Sequence, residues 1–330
     1  MSRIRLAIGL LVSVGLIAYL LTTVDLRQLA EQLRHTNPGL TLIGVALAPL
    51  GVWVRAWRWR FLFPPDNRPP GLGAAMMIGF MGNNVLPFRA GEIVRVYVVA
   101  RRWRHGFWTV LGTVAVERLF DGLAIVSVLA VLALLIPVPP VFQWTALTLL
   151  VIDVVAVSAL AVLAVAPDVA RRLIARLALR WPTLDRRLTE GFDRFVSGLD
   201  GVRTPINVPP LLALTVLVWI MPALQGWVML RAMNLDLPWL AGWVILAFVG
   251  LSVSVPSAPG YVGVFHYAAV LAVEVFGVPR STAVGYALVL HASQIIPITL
   301  IGWLFLLREH VSLTTAAHVR PVEDEATPAR

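Results

Sequence analysis

The sequence predicts an all-α polytopic membrane protein with about six full spans and two opposed re-entrant helical hairpins, arranged like an inverted repeat. Two properties of the whole chain predict this class. Of its 330 residues, 58% are hydrophobic and 14% are charged, whereas about 25% of the residues in soluble domains are charged. Apolar runs long enough to cross a bilayer also recur along the whole length. The positions of the arginine clusters then predict the hairpins.

The charges and the missing residue types exclude several classes of function. The net charge is +9 and the chain contains no cysteine, which excludes disulfides and thiolate chemistry. The arginines lie in short loops beside apolar runs, so the positive-inside rule explains them and we expect no nucleic-acid partner. The sequence has no P-loop, nucleotide fingerprint or nucleophile motif, and we therefore predict no cofactor and no enzymatic activity.

Six apolar runs predict the full spans. They cover residues 6–21, 40–57, 107–136, 141–166, 211–230 and 281–307. A cleaved signal peptide is the alternative for the first run, but no small-x-small cleavage site follows it. The second run ends in tryptophans interleaved with Arg55, Arg58 and Arg60, and we expect these side chains to lie at the level of the lipid headgroups.

Residues 71–100 are predicted to form the first hairpin. The arginine clusters on both sides of this segment belong to the cytoplasmic side, so the segment enters and leaves on one face. Each half covers only about 22 Å, which is less than the roughly 30 Å hydrocarbon core. The polar break between the halves contains Asn83, Asn84 and Pro87.

Residues 239–276 are predicted to form the second hairpin, with its break at Pro259 and Gly260. Arginines on both sides of this segment agree with insertion from outside, after which the last span returns to the cytoplasm. The alternative is a full span over residues 239–255. Opposed broken elements in the two halves of a chain are typical of inverted-repeat transporters.

The remaining segments are predicted to lie in the cytoplasm. Residues 1–309 form one transmembrane domain, and residues 168–204 within it form an amphipathic loop rich in arginine. This loop is typical of a topology determinant that also attracts anionic headgroups. Residues 310–330 are expected to be a disordered tail. We expect both termini on the cytoplasmic side of the inner or plasma membrane.

The two breaks predict a polar cavity at membrane depth, because non-helical backbone there needs protein or water around it. A helix begins after each break, and its free N–H groups favour anions. Arg89 at the first break would add a guanidinium suited to a phosphate. The alternative is a kinked hairpin in which Arg89 only reaches towards the interface.

Charged residues in the third apolar run predict an ion-pair network inside the membrane. Glu117 and Asp121 are four residues apart, so they share a helix face and need a cation opposite. Each charge there costs about 2.5–3.5 kcal/mol on insertion scales. A lock that only fixes the hairpin is the alternative to substrate binding. The expected members are Arg89, Glu92, Arg95, Glu117, Arg118 and Asp121.

Further candidates lie in the second half of the chain. His266 and His291 occur in apolar helical runs, where a packing role is the ordinary interpretation and titration during transport is the alternative. Gln294, close to Pro297, and Asp153, alone in its span, are weaker candidates to line the cavity. Gly263 belongs to the second break. No spacing of histidines and carboxylates predicts a metal site.

Three motifs resemble those of the lysylphosphatidylglycerol synthase transmembrane-region family. They are GNNVLPFRAGE at 82–92, VERLFDG at 116–122 and PGYVGVFH at 259–266, and the resemblance extends over nearly all of residues 1–309. It implies a flippase-like protein. Bifunctional members add a soluble aminoacyl-transferase domain, which we expect to be absent because this chain ends soon after its last span. Some members have an acidic residue in place of His266, which weakens the expectation of a cationic aminoacyl headgroup.

The resemblance implies translocation of a phospholipid or of a polyprenyl or glycolipid headgroup between leaflets. Membrane lipids with an anionic headgroup are the expected partners, together with a separate lipid synthase or glycosyltransferase. One alternative is a membrane-embedded transferase that acts on a lipid carrier, with Glu117 or Asp121 as the base. The other is a scaffold that recruits a separate synthase through residues 168–204.

Overall fold

The apolar runs of the sequence fold into helices. The computed structural model describes residues 34–86, 89–135, 140–165, 182–253 and 258–309, and regular structure there is entirely helical. The helices are α1 (Pro38–Arg60), α2 (Leu72–Val85), α3 (Gly91–Trp103), α4 (Phe107–Ala133), α5 (Pro140–Val165), α6 (Pro182–Ser197), α7 (Asp200–Arg203), α8 (Val208–Ala232), α9 (Trp239–Ser252), α10 (Val264–Glu274) and α11 (Arg280–Arg308). The all-α fold class is confirmed.

Some predicted segments lie outside the described residues. These are the first span at 6–21, the tail at 310–330, residues 168–181 of the arginine-rich loop, and Pro87. Among the described residues, α1, α11 and α8 with its preceding turn are long and apolar enough to cross a membrane. Helices α4 and α5 have 27 and 26 residues, or about 40 Å each. The total of six spans stays a prediction.

Helices α1 and α8 form an antiparallel pair. At one end, the backbone N–H of Asn37 donates to the carbonyl of Ala232 over 2.7 Å. At the other end, the side-chain amide of Asn207 donates to the carbonyl of Phe63 over 3.1 Å. The two helices therefore run the length of the molecule in opposite directions, and they define its two ends.

Helices α2 and α3 form the first hairpin, as the arginine positions predict. They have 14 and 13 residues, or about 20 Å each, so neither can cross the hydrocarbon core. Gly71 lies against Trp103 at the base, and Gly91 lies against Gly79 near the tip. The chain reverses at the tip through Arg89, which has a left-handed backbone with φ of 55°.

Helices α9 and α10 form the second hairpin. They have 14 and 11 residues, which makes α9 too short for a full span over residues 239–255. The break between them has left-handed backbone at Gly260, Tyr261 and Gly263, with φ of 69°, 58° and 91°. Glycine adopts positive φ without steric cost, which explains why two of these three positions are glycines.

The second hairpin lies along the first half of α11. Its base is fixed there by an ion pair of 3.4 Å between Glu274 and Arg280, at the start of α11. Its break is held by a hydrogen bond of 2.8 Å between the Nε2 atom of His291 and the carbonyl of Gly260. The hairpin therefore points from the start of α11 towards its middle.

The first hairpin lies along the second half of α11 and points the other way. Its tip is held where the amide of Asn84 donates to Thr299 over 2.9 Å. Its base is at the end of α11, where Arg102 pairs with Glu309 at 3.1 Å. The carbonyl of Asn84 lies against Gly260, so the two tips meet. Relative to α11, the hairpins are opposed.

Candidate functional site

A cavity of about 390 Å³ lies where the two hairpin tips meet. One part of its wall is charged or polar, and another part is apolar. The polar residues are Arg55, Asn83, Asn84, Arg89, Glu92, Arg95, Arg118, Asp121, Asp153, His291 and Gln294. The apolar residues include Ile125, Leu149, Ile245, Leu246, Val249, Leu290, Ile295 and Ile298. The cavity is therefore amphipathic.

Glu117 of α4 is the most enclosed member of the charged cluster. Its side chain has no exposed surface. Its carboxylate accepts two hydrogen bonds from the guanidinium of Arg95 on α3, at 2.9 and 3.3 Å, and one from Arg118 at 2.7 Å. Such two-point contacts are the strong form of an arginine–carboxylate pair. Glu117 therefore ties the first hairpin to α4, and it does not line the cavity.

Asp121, one turn further along α4, binds arginines from two helices. Arg58 of α1 approaches it to 2.8 Å, and Arg118 approaches it to 3.1 Å. Arg55, also on α1, lies at 3.4 Å. Arg58 is fully buried and also lies 3.7 Å from Glu117. Arg55 and Arg58 are therefore bound by an α4 carboxylate within the protein, and the expectation that they lie at the headgroup level stays a prediction.

The cluster contains more cations than anions. Its arginines are Arg55, Arg58, Arg95 and Arg118, and its carboxylates are Glu92, Glu117 and Asp121. Four positive and three negative charges leave one positive charge in excess. A surplus cation in a space shielded from bulk water favours an anion, because desolvation and low dielectric strengthen the attraction.

Arg89 differs from the other arginines near the cavity. It lies 3.7 Å from Glu92, its side chain is 41% exposed, and its guanidinium lies 5.9 Å from the ring centre of Tyr261 in the second break. Glu92 also pairs with Arg118 at 3.5 Å, so it keeps a partner without Arg89. The guanidinium of Arg89 is therefore more accessible to a ligand than those of the cluster.

The two histidines of the second hairpin and α11 stabilise the second break. Their ring centres are 4.6 Å apart. The backbone N–H of Gly263 donates to Nδ1 of His266 over 3.2 Å, while His291 bonds Gly260. Both rings are thus bonded to backbone of the break, as the packing interpretation expects. Of the two, only His291 lines the cavity.

The predicted site residues fall into three groups. Those that line the cavity are Asn83, Asn84, Arg89, Glu92, Arg95, Arg118, Asp121, His291 and Gln294. Those that support it without lining it are Glu117, Pro259, Gly260, Gly263 and His266. Pro87 lies outside the described residues. The described residues contain no group of three or more metal-ligating side chains.

Sequence reasoning missed Arg55 and Arg58 of α1. Their spacing of three residues places both on one helix face, and two acidic residues four apart on α4 needed cations opposite. That signal was present in the sequence. Trp219 and Tyr261 also line the cavity, and nothing in their local sequence distinguishes them from other aromatic residues of a membrane protein.

The profile of one protein family matches most of the sequence. That family is described as the lysylphosphatidylglycerol synthase TM region, and its match covers residues 6–302. The chain belongs to this family. All three motifs lie within the match and contribute to the cavity or its support. This member of the lysylphosphatidylglycerol synthase transmembrane-region family is therefore a membrane protein related to lipid chemistry.

One curated relative of this family member is Glycosyltransferase AglD of Haloferax volcanii. The two are 29% identical over 129 residues, which is 38% of this chain and 21% of the relative. The chain thus spans about a fifth of that relative's length. No solved structure matches the chain.

Proposed function

We propose that the protein is a flippase-like membrane lipid translocase. It would move a phospholipid, or a polyprenyl or glycolipid, between leaflets while leaving the lipid chemically unchanged. The observation that supports this most strongly is the amphipathic cavity between two opposed hairpin tips. A headgroup would enter the charged part of this cavity, while the tails remain in the bilayer.

The charge of the cavity supports an anionic headgroup. The cluster has one positive charge in excess, and Arg89, whose side chain is 41% exposed, lines the cavity beside it. A guanidinium binds the oxygens of a phosphate through two parallel hydrogen bonds. The phosphate that lipid headgroups share is therefore the group we assign to Arg89.

The opposition of the hairpins supports movement across the membrane as well as binding. Each hairpin reaches from one end of α11 to its middle, so in this proposal each tip would shield the cavity from one end. Alternating access in inverted-repeat transporters uses such a pair of broken elements around one central site. Direction would come from a lipid gradient or from removal of the product.

The proposed topology follows from arginines at the ends of three helices. Arg60, Arg102 and Arg308 lie at one end of the helical bundle, and the positive-inside rule places that end in the cytoplasm. The protein would then be a multi-pass protein of the inner or plasma membrane with both termini cytoplasmic. A separate lipid synthase or glycosyltransferase would supply its substrate.

Reconstitution into liposomes tests the proposed function. The purified protein is incorporated with lipids that have a fluorescent acyl chain, and an impermeant quencher reports which molecules reach the outer leaflet. The panel contains anionic and zwitterionic phospholipids and a polyprenyl phosphate that bears one hexose. We expect faster exchange than in protein-free liposomes for at least one of them, and rates equal to protein-free liposomes throughout would contradict the proposal.

Two arginine variants connect the exchange to the cavity. Arg89→Gln removes the accessible guanidinium, and we expect the exchange rate to fall about tenfold, the effect of one lost charge-assisted hydrogen bond. Arg102→Gln removes an arginine from the base of the same hairpin, outside the cavity, and should leave the rate unchanged. Equal rates in both variants would refute the role of Arg89. Covalent turnover of the lipid would indicate the transferase alternative.

A further inference from the structure

One carboxylate in the cavity is left out of the charged cluster. Asp153 of α5 lines the cavity and is only 8% exposed. Its Oδ2 atom is buried without a hydrogen-bond partner, and no ion pair joins Asp153 to an arginine in the described part of the chain. Glu92 and Asp121, which also line the cavity, both pair with Arg118.

Among the described residues, no cation or hydrogen-bond donor compensates the burial of Asp153 Oδ2. Its carboxylate lies against Gly122, where any side chain would collide with it. Gly122 follows Asp121 directly, so the nearest charged residue along α4 is another carboxylate. A buried polar group without a partner costs free energy, and an ionisable residue inside a membrane span that has no partner marks a functional site.

Several other polar atoms of the cavity wall are also buried without a hydrogen-bond partner, and one of them is a donor on α8. Trp219 of α8 lines the cavity, and the indole N–H of Trp219 is buried without an acceptor. The guanidinium of Arg55 lies 5.5 Å from the Trp219 ring centre, which fixes the indole beside the charged cluster. The cavity wall therefore offers an unpaired acceptor at Asp153 and an unpaired donor at Trp219. A hydroxyl group can pair with either of them, because it donates and accepts.

We propose that Asp153 determines headgroup specificity by accepting a hydrogen bond from a hydroxyl or ammonium group of the lipid. The phosphate of the same headgroup would bind Arg89, as the proposed function requires, and this inference rests on that function. The substrate class is then a lipid whose headgroup combines a phosphate with a hydrogen-bond donor. Lipids with the phosphate alone leave Asp153 buried and unpaired, so they cross more slowly.

A pair of matched lipids tests this assignment. Phosphatidylglycerol and phosphatidylmethanol have the same charge, but only the first has headgroup hydroxyls. Phosphatidylethanolamine and phosphatidylcholine form a second pair, in which only the first has N–H donors. In the liposome assay with acyl-chain labels, we expect the wild-type protein to exchange the donor lipid of at least one pair about tenfold faster than its match.

Variants of Asp153 complete the test. Asp153→Asn keeps the shape and removes the charge, and we expect it to lower the preference for the donor lipid several-fold. Asp153→Leu removes the acceptor, and the preference should disappear. Thr148→Val removes an exposed hydroxyl from the same helix and should leave the preference unchanged. Exchange that keeps its wild-type preference in both Asp153 variants would overturn the inference, whereas exchange of no lipid by the wild-type protein would overturn the proposed function itself.

Discussion

Replacing Glu117 with glutamine should destabilise the protein more than any exposed charge change. The carboxylate is fully enclosed, and it binds Arg95, Arg118 and Arg58 at 2.9, 2.7 and 3.7 Å. Glutamine has the same shape, so the change isolates the charge. It raises the excess positive charge of the cluster from one to two in a site that water cannot screen.

The magnitude follows from the burial of this pair. Removing one partner of a buried ion pair costs about 3–5 kcal/mol, because the other charge stays buried without compensation. The matched control is Glu309→Gln. Glu309 also pairs with an arginine at a similar distance, 3.1 Å, but the Arg102 side chain is 63% exposed. Exposed pairs contribute only about 0–1 kcal/mol.

The assay is equilibrium unfolding in mixed micelles, with increasing SDS and tryptophan fluorescence as the signal. The free energy of unfolding should fall by at least about 2 kcal/mol more in Glu117→Gln than in Glu309→Gln. Equal losses in the two variants would contradict this prediction, because they would show that the enclosed network contributes no more to stability than a surface pair.

Two further predictions concern the packing of the first hairpin and the topology of the helical bundle. In Gly91→Ala, the new methyl group would collide with the carbonyl of Gly79, so we expect a loss of about 2 kcal/mol or more in SDS unfolding. Gly51→Ala is the control, since its methyl group would make an ordinary contact. An equal loss of unfolding free energy in this variant would contradict the close approach of α2 and α3 at Gly79 and Gly91. Single cysteines at Arg102 and Asp236 should react with an impermeant maleimide from opposite sides of the membrane, since these residues lie at opposite ends of the bundle. Labelling of both from one side would contradict the topology.

The sequence was sufficient to predict the hairpins because the physical limits are strict there. Short apolar halves, a polar break and arginines on both sides leave few arrangements in a bilayer. The helices α2 and α3 confirm this reasoning, and α9 ends too early for the alternative full span. The opposition of the hairpins was also predicted, but the meeting of their tips beside the middle of α11 depends on contacts of Asn84 and His291, which no local pattern specifies.

The charged cluster was only partly predictable. The α4 carboxylates demanded cations, but sequence spacing did not show which helix supplies them. Arg58 follows the pattern of an interfacial arginine beside tryptophans, but packing buries Arg58 against the α4 carboxylates, while the neighbouring Trp57 stays exposed. Sequence spacing is equally insufficient for Asp153, because only the packing of the helices determines whether its carboxylate has a partner.

A bulky substitution in the cavity tests most directly whether lipid headgroups pass through it. Gln294 and Leu300 are both on α11; Gln294 lines the cavity, whereas Leu300 is exposed on the outer surface of the helical bundle. A tryptophan at position 294 would project a bulky ring into the roughly 390 Å³ cavity, while a tryptophan at 300 would lie on the outer surface. We predict that Gln294→Trp slows lipid exchange in liposomes at least tenfold and that Leu300→Trp leaves it unchanged. Exchange at the wild-type rate in a folded Gln294→Trp variant would contradict a path through this cavity.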